Sequence, residues 1–105
     1  MTAIFDEGVP HDLLAELHCA GCDVVGFPKG WKGTKNGQLL KLIAAGGFTC
    51  LITSDKDLPH QQNLPQVSFA IVVLPSNNLD DLRMKTELIY TSVTVALPGA
   101  ATWVD

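Results

Sequence analysis

Three observations predict an α/β domain of three layers, with helices on both faces of a central, mostly parallel sheet of four to five strands. Short apolar runs alternate along the chain with stretches of helical spacing, the order in which strands are joined by crossover helices. Two of those runs, Cys50-Leu51-Ile52 and Phe69-Ala-Ile-Val-Val-Leu74, are continuously apolar, as a strand covered on both faces requires. The composition agrees, since 47% of residues are hydrophobic and only 17% are charged, an excess that fits a doubly covered sheet or a surface that meets a partner. The 105 residues read as one domain, 1–105, long enough to bury roughly two-thirds of the surface of the unfolded chain.

Thr2 to Phe5 reads as the first strand. Val9 through Ala20 reads as a helix with Val9, Leu13, Leu14 and Leu17 on its inner side and Asp12 and Glu16 facing water; Pro10 is tolerated in the first turn and Gly21 stands just past the end. Asp23 to Gly26 is a second short strand. Phe27 to Gly37 is a loop rich in Gly and Lys, with Trp31 in it, which suits a lid or a binding edge. It lacks the spacing of a P-loop. Gln38 to Ala45 is a second helix with Leu39, Leu40, Ile43 and Ala44 inward, Asn36 as its cap and Gly46-Gly47 as its end. Phe48 to Thr53 is the third strand, and His60 to Leu64 is a polar helical turn. Phe69 to Leu74 is the most apolar strand and is placed in the middle of the sheet. A last helix follows Asn78, with Leu82, Leu88, Ile89, Val93 and Ala96 on its apolar side and Pro98-Gly99 closing it, and Ala101 to Val104 adds an edge strand. Right-handed crossovers are expected throughout.

The third strand ends directly in Asp55 and Asp57, and the first ends in Asp6-Glu7. If those strands lie parallel and side by side, all four carboxylates gather at one edge of the sheet, where open α/β sheets bind ligands. Carboxylate oxygens at such an edge suit a hard divalent cation, Mg²⁺ or Mn²⁺. Asp6 and Glu7 are adjacent, and strand alternation points adjacent side chains to opposite faces, so one of them is expected to turn away.

The net charge of −4 argues against a generally basic nucleic-acid binder, yet no acid occurs between Val24 and Ser54 while Lys29, Lys32, Lys35 and Lys41 do. Trp31 between these lysines has two readings: an anchor for its own loop, the favoured one, or a ring that stacks on a base. Cys19-Ala-Gly-Cys22 has the C-x-x-C form but closes a helix instead of opening one, and no second pair completes a zinc set, so helix-end packing is its reading. Ser54 has no Gly-x-Ser-x-Gly surround. No apolar run approaches the roughly 18 residues of a membrane span and no signal-like segment opens the chain, so a cytoplasmic protein without membrane contact is expected.

Phe5-Asp6-Glu7-Gly8-Val9-Pro10, the Asp-Val-Val strand, the Leu-Leu-Lys-Leu-Ile-Ala-Ala helix and Leu51-Ile-Thr-Ser-Asp55-Lys56-Asp57-Leu58 together resemble the small PIN-like proteins of the DUF5615 group, over about residues 3 to 75. The resemblance implies a relative of the PIN-domain nucleases, many of them toxins of toxin–antitoxin pairs. It implies a ribonuclease in which clustered acids hold Mg²⁺ or Mn²⁺ and activate water against a phosphodiester. Asp6 and Asp55 match the acids nearest the metal, Asp57 supports them, and Glu7 and Asn36 complete the ligand set. Lys32, Lys35 and Lys56, with Trp31, are the residues to meet RNA. The chain departs from the pattern at the second helix, where Asn36 and Gln38 are neutral amides in place of an acid. That departure supports an alternative, a PIN-like module that no longer cleaves and binds RNA or a partner protein. An antitoxin and a second copy, paired through the last helix, are the partners this reading expects. A phosphoacceptor receiver domain shares the acids after the first and third strands, but wants a lysine after its last strand, and Thr102 to Asp105 supplies none.

Overall fold

A computed structural model of the chain describes residues 2–61 and 66–105. The predicted polar turn therefore lies partly outside the described residues, at 62–64. Five strands form one parallel sheet in the order β2-β1-β3-β4-β5: β1 (Ala3–Phe5), β2 (Val24–Val25), β3 (Cys50–Thr53), β4 (Ala70–Val73) and β5 (Ala101–Trp103). Five helices are described, α1 (Leu13–Cys19), α2 (Asn36–Ala45), α3 (Leu58–Gln61), α4 (Leu79–Arg83) and α5 (Thr86–Val95), with a 3₁₀ turn over Lys29–Trp31. None of the described helices is long and apolar enough to cross a membrane.

Strand alternation divides the core cleanly. Ala3, Phe5, Cys50, Ile52, Ala70 and Val72 face one side, where Leu13 and Leu17 of α1, Leu82 of α4 and Ile89 of α5 cover them. Ile4, Leu51, Ile71 and Val73 face the other, under Leu39, Leu40 and Ile43 of α2 and Leu58 of α3. This is the three-layer α/β/α arrangement, and it explains why β3 and β4 read as unbroken apolar runs: every residue of both is buried.

Several expectations need correction. The centre of the sheet is β3, with β4 one place out, because β1 and β4 both pair with β3 and β5 pairs beyond β4. The first helix begins at Leu13, since the Leu13 and Leu14 N–H groups bond back to Pro10 and His11 in tight turns at 3.1 and 3.0 Å, although Val9 still enters the core. Asn36 is the first residue inside α2 and does not cap it; Ala44 is exposed. The last helix is two helices, broken where Lys85 leaves helical geometry at φ −121°, and Leu88 faces outward.

The crossovers are not all of one hand. The step from β1 to β2 is made through α1 on one face, and the opposite steps to β3 and β4 through α2 and α3 on the other face, so these three share a hand. The step from β4 to β5 continues in the same direction but passes through α4 and α5 on the face of α1. It therefore has the opposite hand, against the strong preference for uniform right-handed crossovers.

Candidate functional site

The chain reverses direction across the sheet at β1, whose neighbours β2 and β3 are reached by crossovers on opposite faces, and the crevice outside the carboxyl ends of β1 and β3 is the topological switch point. Phe5 pairs with Ile52, so Asp6 and Thr53 come next in register on the α2 side of the sheet. Asp6 continues the ladder with its N–H to the Ile52 carbonyl at 2.8 Å, and its carboxylate is held from two directions: Oδ2 accepts from the Thr53 hydroxyl at 2.7 Å and Oδ1 from the Glu7 N–H at 2.8 Å. Thr53, fully buried, accepts in turn from the Asp55 N–H at 3.0 Å. Asp55 Oδ1 accepts from the Asp57 N–H at 3.0 Å. One buried hydroxyl thus fixes both strand ends.

A cleft of about 360 Å³ opens here, lined by Asp6, Glu7, Thr34, Asn36, Ser54 and Asp55 among others. Asp6 and Glu7 both line it, against the alternation argument, because β1 ends at Phe5 and the turn at Glu7-Gly8 releases the side chains from the pleat. Glu7 Oε1 accepts from the Gly33 N–H at 3.3 Å, which ties the lysine-rich loop to the rim. Lys32 and Lys35 flank that contact and are exposed, as is Lys56. Asp57 is exposed and is not among the residues lining the cleft; its part is the N–H that orients Asp55. Trp31 is half-buried and stands edge-on between Phe27 and Phe48, with centroids 6.3 and 6.4 Å away, the geometry of a loop anchor.

Among the described residues no three His, Cys, Asp or Glu side chains stand close enough to enclose a metal ion. A magnesium-like ion asks for less, one or two carboxylates with water and substrate phosphate filling the remaining positions. Asp6 and Asp55 fit that demand: each accepted hydrogen bond takes one of about four lone-pair sites on a carboxylate, leaving others for a cation. The donor set suits a water-rich ion and does not suit a cage closed by protein.

Sequence reasoning missed Thr53, Thr34 and Asn77, which also lines the cleft. The Thr53 signal was present, a hydroxyl at the last position of a buried parallel strand, where a β-branched residue passes as an ordinary strand former. Ser54, which also lines the cleft, donates to the Ser76 carbonyl at 3.1 Å and pins the end of β3 to the segment after β4. The cysteines are all free: Cys19 is exposed, Cys22 and Cys50 are buried. Burial, with the Asp23 charge adding to it, pushes the Cys22 thiol up. Burial and then Cys22 push Cys50 up to about 12, against a lowering hydrogen bond from the Val72 backbone. Thiols held protonated in this way are poor nucleophiles and poor ligands. Comparison with family models, with curated proteins and with solved structures finds no match to this chain.

Proposed function

We propose that the chain is a PIN-like protein of the DUF5615 type and that its cleft hydrolyses phosphodiester bonds of RNA with Mg²⁺ or Mn²⁺. The observation that carries this reading is the opening of Asp6 and Asp55, from adjacent parallel strands, into one cleft at the switch point of the sheet. Asp6, Asp55 and, from the rim, Glu7 are the residues to hold the ion. When bound, such an ion supplies a positive centre that polarises a phosphoryl oxygen and offsets charge on the leaving group. The protein's part is positioning. Thr53 and the Glu7 N–H fix the Asp6 carboxylate, and the Asp57 N–H fixes that of Asp55. Asn36 lines the cleft as the first residue of α2, so the positive end of that helix lies at the rim and favours a phosphate there. Lys32 and Lys35 add an exposed positive edge that attracts a polyanion to an otherwise acidic protein.

The partner in this reading is an antitoxin-like protein, for which the last part of the chain is suited: Leu88 to Val104 contains no charged residue, and Val95, Leu97 and Trp103 are exposed. The test is cleavage of a mixed-sequence single-stranded RNA with Mn²⁺ or Mg²⁺, comparing wild type with Asp6→Asn and Asp55→Asn. Metal-dependent cleavage lost in both variants is the expected result. No cleavage by folded wild type, or equal cleavage by the variants, assigns the cleft to a binding module instead, the reading that the neutral Asn36 and Gln38 favour.

A further inference from the structure

At the opposite end of the sheet from the acids lies a second concavity. Ala3 pairs with Cys50, and Cys50 with Ala70, so three small side chains stand in one row at the start of β1, β3 and β4. All three face the α1, α4 and α5 layer. Tyr90, Val93 and Ala96 of the covering segment pack against this layer, yet a cavity of about 370 Å³ remains between them and the row. That is well beyond a packing defect. A dry apolar cavity of about 150 Å³ already accepts benzene, and small-molecule sites begin at roughly 300 Å³.

The lining decides what fits. Most polar groups around the cavity are committed within the chain: Asp23 accepts from the Thr2 hydroxyl at 3.1 Å, Thr49 donates to the Thr2 carbonyl at 3.4 Å, and Thr94 donates to the Thr91 carbonyl at 2.7 Å. The Tyr90 hydroxyl has no hydrogen-bond partner among the described residues. Its ring lies over Gly21, where a Cβ would meet Tyr90 Cε2 at an ordinary contact distance of 3.8 Å; what the turn asks of glycine there is its φ of +95°. Asp23 is exposed at the mouth and disfavours an anion, and the floor offers a cation no acidic partner.

We propose that this cavity binds a small, uncharged, largely apolar molecule with one hydrogen-bonding group, a planar ring compound of the size of indole, with the Tyr90 hydroxyl meeting its polar atom. The site is separate from the acidic cleft and stands whether or not that cleft cleaves RNA. The test is titration of the ¹⁵N-labelled protein with indole. The expected result is saturable shifts at the amides of Cys22, Cys50, Ala70 and Tyr90, with affinity reduced by about tenfold or more in Ala70→Leu, which fills the floor. Should Ala70→Leu fail to fold, Thr94→Trp closes the mouth from an exposed position and serves in its place. Tyr90→Phe keeps the ring and is expected to weaken indole while sparing toluene. Shifts that do not saturate, shifts centred elsewhere, or unchanged affinity in the filled variant would overturn the proposal.

Discussion

The Thr53 hydroxyl donates to Asp6 Oδ2 and accepts from the Asp55 N–H, so its removal strands a carboxylate oxygen and a backbone donor together. Thr53→Val keeps the shape and deletes the oxygen. A cost of about 1–3 kcal/mol is expected in urea unfolding, the usual penalty for polar groups left without partners, and Thr53→Ser should recover most of it. A merely space-filling Thr53 would leave both variants near wild type. The thiols carry a second prediction at this scale. Cys50 is raised from 9.0 to about 12 in the folded state, so the unfolded chain gives up that proton first. Stability from this group is complete below pH 9 and is lost as pH rises toward 12. Cys50→Ala should flatten the alkaline limb of the stability curve, and at pH 8 a thiol reagent should titrate Cys19 alone until the protein unfolds.

Among the elements, α4 owes its start to Asn78. Its side-chain oxygen accepts from the Asp80 and Asp81 N–H groups at 2.9 and 3.3 Å, and Asp80 and Asp81 place negative charge in the first turn. Asn78→Ala is expected to cost about 1 kcal/mol in thermal or urea unfolding. By contrast, the Arg83 pairs with Glu16 and Asp80, both at 3.4 Å, join exposed groups, and exposed pairs of this kind contribute little. What holds α4 and α5 down is Leu82 and Ile89, both fully buried against α1 and the sheet. The break between them lets the chain turn at Met84-Lys85, and it carries Leu88 and Val95 to the outside, where one straight helix with an inward Leu88 was expected.

For the whole molecule, the sheet has one chemistry at each end. The carboxyl ends of β1 and β3 carry acids on a hydroxyl support; the amino ends of β1, β3 and β4 carry small side chains under a cavity. Between them lies the core, and Leu51 sits at its centre on β3, fully buried under α2 and α3. Leu51→Ala should destabilise by about 2–5 kcal/mol, measured as a lower urea midpoint. A smaller loss would mean that the α2 layer collapses into the space left behind.

How much of this was legible beforehand follows from how local each cause is. The α/β class, the parallel sheet, the five strands to within a few residues and the inward leucines of α1 and α2, with Ile43, were readable, because hydrophobic periodicity and Gly or Pro punctuation act over a few neighbours. The sequence also marked Asp6 and Asp55 as ends of strands. Their meeting was conditional on β1 and β3 pairing, a contact across 47 residues that only the folded chain supplies. Thr53 as their shared support, Glu7 turned into the cleft and Asp57 left outside it all depend on where a strand stops and a turn begins. The split of the last helix and the reversed hand of the final crossover lie further still from local pattern. Both go with the burial of Leu82 and Ile89 on the α1 face of the sheet, a set of contacts that only the assembled core supplies.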